Sequence, residues 1–402
     1  MNALLLGNGF DINYTLPTKY INFLNTVEFL SRVSPEWLAG LQTVGDVFKS
    51  ETLQKQDSFI ADSYQKYKSF YDSTALPHHI AETLAKLPKA NLWCAYFLES
   101  FNRDIGWIDF EKEISTVVQA FKDFLADPHP IFSIRDYPKN PASRYIIRKF
   151  CYFLDEAGIF VYKIKDEYMT EEYAGSGIHV INTEMLIGRL QTELNDFAEA
   201  LKLYLAHFVD NTVSQFPKSD WTKEWFARLD PDYVITFNYT TTFEHFLPEA
   251  NTVHIHGKVS DKIVLGIDPN EDDDLDTADT TFISFKKYFQ RITYGTDTQY
   301  MSAMKELSGV ADNLDLTVMG HSLDVTDKDI IQALFSAASD IAILYHSRAA
   351  LASYVAKLIE LYGKSEFDRL KETKNLQFIS LETELEDYID HIVTKNFVLA
   401  CL

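Results

Sequence analysis

Cysteine is scarce in this chain. Cys94, Cys151 and Cys401 are the three among 402 residues, far apart and without a C-x-x-C pair. That spacing argues against a disulfide framework and against a zinc ribbon. Long apolar runs are missing as well: none approaches the ~18 residues of a membrane span. No charged leader precedes the first strand-like segment, so a signal peptide is not expected and the cytoplasm is the expected location. Positive charge is in deficit, with 37 Lys and Arg against 59 Asp and Glu and a net charge of −22. Such a field repels the phosphates of long nucleic acids and disfavours sequence-independent binding to DNA or RNA. A small nucleotide is not excluded, because backbone amides and helix N-termini supply a local positive field.

Apolar residues make up 46% of the chain, enough to bury a core and to argue against disorder. The length suits two domains or one domain with a large insertion. With 29 Phe and 22 Tyr, bulky helix packing is expected.

Strand-like segments gather at the two ends: Ala3–Leu6, then Tyr233–Thr236, Thr252–Ile255, Ile263–Leu265, Leu314–Met319, Ile341–Tyr345 and Leu376–Ile379. They are short and rich in Val, Ile and Leu, as parallel strands buried on both faces are. Helical patterns separate several of them, for example Lys328–Ser339 and Ala350–Tyr362. Between Ile21 and Arg228 the apolar spacing is helical instead, in Ile80–Leu87, Trp93–Phe101, Ile114–Leu125, Arg144–Leu154 and Met185–Phe208. Asp127–Pro141, with four prolines, reads as a loop. The expected fold is therefore α/β: a Rossmann-like parallel sheet with a large, mostly helical insertion. Residues 1–28 and 229–402 would form the nucleotide-binding part, and 29–228 the insertion. The acidic run Glu271–Asp279 lacks the Gly and Glu of a calcium loop and reads as solvated. Glu382–Asp390 is an acidic amphipathic helix candidate.

Four segments carry chemistry. Gly7-Asn8-Gly9-Phe10-Asp11 follows the first strand, with Leu16-Pro17-Thr18 after it. Two glycines around an Asn allow a sharp turn whose N–H groups are expected to be bare for phosphate, with Asp11 near a ribose; alternatively Asp11 caps a helix. Thr236-Phe237-Asn238-Tyr239 lies at a strand's C-terminal end, where α/β sheets place ligands, and the hydroxyls of Thr240 to Thr242 are expected to cap the next helix. His254-Ile255-His256-Gly257 offers His256 as a general base and His254 as a packed core histidine. The H-x-H spacing also suits half of a metal site with Asp268. Gly320-His321-Ser322-Leu323-Asp324 has the outline of a hydrolase elbow, but Asp324 stands where the elbow needs its second glycine. Its alternative role is to line a nucleotide's ribose or adenine, with Thr326 capping the helix that follows. Trp107, Asp109 and Glu111 mark either a helix start or a wall of the pocket contributed by the insertion.

In this order the segments resemble the sirtuin superfamily. More closely, GNGFD, LPTKY-x-x-F (Leu16 to Phe23), WIDFE (Trp107 to Glu111), FNYTTTFE, HIHG and GHSLDVTD resemble the bacteriophage abortive-infection AbiH family over residues 1 to about 335. The AbiH resemblance implies a role in phage defence. The sirtuin resemblance implies NAD as substrate. Gly7, Asn8 and Gly9 would hold its pyrophosphate, and Asn238 would order the nicotinamide ribose and an attacking water. His256 would act as base, and Gly320 and Ser322 would line the adenosine half. Phe10, Thr18, Thr236, Tyr239, Gly257, His321 and Asp324 complete the candidate pocket, with Asp11 beside the reacting ribose. Sirtuin deacylases carry a four-cysteine zinc module that three scattered cysteines cannot build, so zinc and peptide deacylation are not expected. Cleavage of NAD by water fits better.

Two rivals stand beside the NAD hydrolase: a nucleotide-sensing module that controls assembly without turnover, and a serine hydrolase using Ser322. A homo-oligomer or a defence partner protein is the expected association. Glu28 is the nearest candidate for the acidic ribose reader found ~20 residues after a Rossmann glycine turn.

Overall fold

The structure, a computed structural model, describes residues 1–100, 109–126, 140–154, 160–164, 182–217, 223–267, 280–309 and 313–400. Among these, eight strands occur: β1 Asn2–Leu6, β2 Tyr152–Leu154, β3 Phe160–Ile164, β4 Tyr233–Thr236, β5 Thr252–His254, β6 Asp315–Met319, β7 Asp340–Tyr345 and β8 Gln377–Ser380. β2 and β3 pair as a separate antiparallel hairpin. The other six form one wholly parallel sheet in the order β5-β4-β1-β6-β7-β8. Counted without the hairpin, this is the doubly wound order 3-2-1-4-5-6, which reverses between β1 and β6.

The buried pattern of β1 shows why it sits at the centre. All five of its residues are buried, and alternate side chains serve two cores. Leu4 and Leu6 join a large core shared with the helical insertion and with Ile389 and Ile392 of the C-terminal helix Leu385–Ala400. Ala3 and Leu5 join a second core with Tyr300, Leu307, Ile330, Leu334, Leu358 and Leu370. Those six come from four helices, Thr296–Ser308, Lys328–Ala337, Arg348–Tyr362 and Lys364–Thr373. A continuous apolar strand is the expected signature of burial on both faces.

The insertion enters between β1 and β4 and is dominated by helices, including Tyr20–Arg32, Ser58–Ser73, His78–Ala90, Leu92–Ser100, Phe110–Ala126 and Thr183–Tyr204. Aromatic packing fills it: Phe97 stacks on Phe110 at 4.5 Å and Trp93 meets Phe150 edge-on at 5.0 Å. Side-chain caps start several helices. Asp57 accepts from the Ile60 amide at 3.1 Å and Asn182 from Met185 at 3.1 Å.

Several expectations need correction. Ile263–Leu265 forms no strand of the sheet. Its backbone is taken up locally, Val264 donating to the His256 carbonyl at 2.8 Å and Leu265 to Gln290 Oε1 at 2.9 Å. The helix expected to reach Leu154 ends at Cys151, because the next three residues pair into the hairpin. The long helix after Asn182 changes at Leu205 to a π-helical turn that runs to Asp210. Trp107, Asp268, the run 271–279, and 127–139 of the proline-rich loop lie outside the described residues.

Candidate active site

A cavity of about 720 Å³ opens at the C-terminal ends of the strands, at the point where the strand order reverses. Its walls come from the turn after β1 (Gly7, Asn8, Gly9, Asp11), the end of β4 (Phe237 to Thr240), His256 after β5, and the turn after β6 (Gly320 to Ser322). Further along lie Leu344 and His346 of β7 and the loop after it. The insertion adds Asp109 and Glu111.

The two glycine turns interlock. Gly9 N–H donates to the Gly320 carbonyl at 2.8 Å, Gly7 N–H to Met319 at 3.2 Å, and Phe10 N–H to Gly7 at 2.9 Å. The expectation that these amides are bare is therefore wrong for Gly7, Gly9 and Phe10. The glycines are needed for close approach instead. A Cβ on Gly9 would lie 2.7 Å from the Gly320 α-carbon, and one on Gly7 2.5 Å from that of His321. Asn8 stays at the cavity wall and is held by Thr18, whose hydroxyl donates to Asn8 Oδ1 at 2.6 Å. Thr18 is itself kept in place by neighbouring Pro17, whose carbonyl accepts from Tyr204 Oη at 2.9 Å.

Asn238 is delivered by β4. Its amide donates to Thr236 Oγ1 at 3.1 Å and its carbonyl meets His254 Nδ1 at 2.9 Å. Its side-chain Oδ1 is buried at the cavity wall without a hydrogen-bond partner. His254 Nε2 lies 2.6 Å from Glu244 Oε1, so both ring nitrogens are engaged and His254 is the packed histidine expected. The hydroxyls of Thr240 and Thr241 do not cap the short helix Thr242–Phe246. Thr240 donates to Asp11 Oδ2 at 2.6 Å and Thr241 to Asp210 Oδ2 at 2.8 Å. Burial pushes Asp11 up to about 6, only partly opposed by Thr240, and pushes Asp210 up to about 7 against the Thr241 bonds.

His256 shares the opposite wall with a cluster that sequence reasoning largely missed. Asp327 places Oδ1 3.4 Å from His256 Nε2 and Oδ2 3.5 Å from His321 Nε2. Lys287, wholly buried, donates to Asp327 Oδ1 at 2.8 Å and pairs with Glu111 Oε2 at 2.7 Å. His256 Nε2 makes no hydrogen bond. Burial, then the Lys287 ammonium, pulls its imidazole down to about 3 despite Asp327. Burial would raise Asp327, but Lys287 and the two imidazoles hold it well below the usual carboxylate range. Glu111 goes the other way, to about 7, because burial and the Asp327 charge outweigh Lys287. The signal that could have found Asp327 and Glu111 was present in the GHSLDVTD and WIDFE segments. Lys287 follows the acidic run in a stretch with no motif.

The remaining candidates fall in two groups. Tyr239, His321, Ser322 and Asp324 line the cavity with the residues above. Tyr239 Oη donates to the Val264 carbonyl at 2.8 Å. Asp324, not Thr326, caps the next turn and also pairs with Lys357 at 2.9 Å. His321 Nδ1 accepts the Leu323 amide at 3.0 Å, and Ser322 is exposed. Phe10, Thr236 and Gly257 stand behind the wall. Phe10 packs on Tyr14, Phe226 and Phe243, and Gly257, at φ +75°, makes a turn against the Lys262 carbonyl. Asp109 Oδ1 accepts from Lys112 N–H at 3.1 Å and starts the helix Phe110–Ala126. Glu28 does not line the cavity and bonds Arg32 and Gln56 instead. The insertion displaces the neighbouring strand by more than 200 residues, so a reader counted from the glycine turn falls in a helix.

A family model described as bacteriophage abortive infection AbiH matches residues 3–346. The chain belongs to the AbiH family. Membership places it in bacteriophage abortive infection. The AbiH match spans all four motif segments and the insertion between them. It also includes Glu111, Lys287 and Asp327. No curated protein matches the chain. Among the described residues no group of three or more His, Cys, Asp or Glu is arranged to hold a metal ion, and no helix is long and apolar enough to cross a membrane.

Proposed function

We propose that this cavity binds NAD and hydrolyses the bond between its nicotinamide and ribose, so that the protein limits phage growth by consuming the cofactor of the infected cell. The observation that carries the reading is the pair of buried atoms at the cavity that make no hydrogen bond, Asn238 Oδ1 and His256 Nε2. A buried polar atom without a partner costs about 1–3 kcal/mol, and a ligand that supplies hydrogen bonds recovers it. The volume lies within the ~300–1,000 Å³ of small-molecule sites, and the position at the strand-order reversal is where dinucleotides bind. The resemblance of the four segments to sirtuins supports NAD in particular.

In this reaction the C1′–N bond breaks and its electron pair neutralises the pyridinium of nicotinamide. Water adds to C1′ and loses one proton. Asn238 Oδ1 accepts from the water or a ribose hydroxyl and orients it. His256, neutral at physiological pH, offers Nε2 to a ribose hydroxyl. Carboxylates of Asp11 and Asp327 at the wall favour the cationic, oxocarbenium-like transition state.

Mass spectrometry of NAD incubated with the purified protein, beside an Asn238→Ala/His256→Ala double variant, tests this. Nicotinamide and ADP-ribose formed by the parent alone are the expected result. Equal cleavage by both proteins, or intact NAD with both, overturns it; tight NAD binding without cleavage points to the sensing module.

A further inference from the structure

We propose that Glu111, carried by the helical insertion, is the proton acceptor of this site, held in place by Lys287 and Asp327. This rests on the hydrolase reading above and names the group that reading leaves open. Hydrolysis releases one proton from the attacking water. Asp11 and Asp109 also line the cavity, but each carboxylate is engaged, by the Thr240 hydroxyl and by the Lys112 amide. His256 is poorly suited to accept it. It is buried, and the Lys287 ammonium lies within its field, so a second positive charge there is opposed. Asp327 is held ionised by Lys287 and accepts a proton weakly. Glu111 lines the same cavity and reaches Lys287 at 2.7 Å. The two carboxylates thus share one buried ammonium. With Asp109 adding its charge from the same segment as Glu111, that arrangement leaves excess negative charge around the ammonium and makes one of the pair proton-hungry. Asp327 also faces two imidazoles; Glu111 does not share them and is the one that protonates. Its value of about 7 suits a general base at physiological pH.

The step balances without an external reagent. One O–H bond of water breaks and its proton moves to a Glu111 carboxylate oxygen. The water oxygen bonds C1′ as the C1′–N pair leaves with nicotinamide. Glu111 then returns the proton to solvent through the open mouth of the cavity. Lys287 and Asp327 are positioning residues that act through Glu111.

The test compares kcat against pH for the parent, Glu111→Gln and Lys287→Met, with ADP-ribose affinity measured on each. General-base removal is worth ~10²–10⁴-fold. Glu111→Gln is expected to lose kcat by about that factor, lose the acidic limb of the profile, and keep ADP-ribose affinity within about threefold. Lys287→Met is expected to move the acidic limb to higher pH, because the ammonium that favours the ionised carboxylate is gone. A Glu111→Gln variant that cleaves NAD with the parent's profile overturns this proposal and leaves the hydrolase standing. Loss of ADP-ribose affinity in step with kcat also overturns it, showing a binding role. Intact NAD with the parent protein removes the hydrolase itself and this proposal with it.

Discussion

Gly9 donates its amide to the carbonyl of Gly320 at 2.8 Å, and the two α-carbons approach so closely that neither accepts a side chain. The first and fourth motif segments, more than 300 residues apart, thus form one knot beneath the cavity.

Gly320 has φ +68°, and a Cβ there would lie 2.4 Å from the Phe10 nitrogen. The left-handed conformation alone costs an L-residue ~1–2 kcal/mol, and the backbone contact adds to it. Gly320→Ala is expected to destabilise the protein by on the order of 3 kcal/mol or more and to abolish NAD binding. Urea unfolding and calorimetric titration read the two effects.

Asn238→Ala is expected to behave oppositely. Its Oδ1 has no partner in the folded protein, so removing the side chain deletes an unsatisfied group along with its packing. The melting temperature should stay within about 1 °C of the parent, a change of roughly 1 kcal/mol for a chain of this size, while NAD cleavage falls by at least ~10²-fold. A large loss of stability would show that the side chain holds the fold rather than the ligand.

Lys287 is wholly buried between Glu111 and Asp327. Breaking such a pair by removing one member costs ~3–5 kcal/mol, because the carboxylates are left uncompensated. Lys287→Met should show that loss at pH 8. Adding Glu111→Gln should restore part of it, a non-additive result that a double-mutant cycle measures.

Asp210 faces Asp11, Glu244 and the Thr241 hydroxyl, and its folded value of about 7 lies above its ordinary 3.8. The stability it lends is fully present below about pH 4 and is lost as pH rises through 7. Asp11, raised to about 6, acts with the same sign. Asp210→Asn keeps an acceptor for Thr241 and does not ionise. The variant should gain stability relative to the parent between pH 5 and pH 8, by a few kcal/mol at most. Equal slopes in the two proteins would show that Asp210 is ionised throughout.

The sheet was legible because its signal is local. Short Val-, Ile- and Leu-rich runs ending in Gly, Asn or His state their burial and their C-terminal ends within a few residues each. Ile263–Leu265 carried the same pattern and misled, since a three-residue apolar run packs equally well as a buried loop whose amides find Gln290 and His256. The glycine turn was located, but its amides are not bare as expected: which acceptor an amide meets depends on Gly320 and Met319, far along the chain.

Sequence alone determined the α/β class, the helical insertion, and Asn238 and His256 as candidates, because strand ends and side-chain chemistry are written residue by residue. Tertiary structure decided which groups share a field. It buried Lys287 between Glu111 from the insertion and Asp327 from the segment after β6, and so set the field in which the His256 imidazole is pulled down and the Glu111 carboxyl pushed up. A side chain's proton affinity is set by burial and neighbouring charge, and neither exists until the chain has folded.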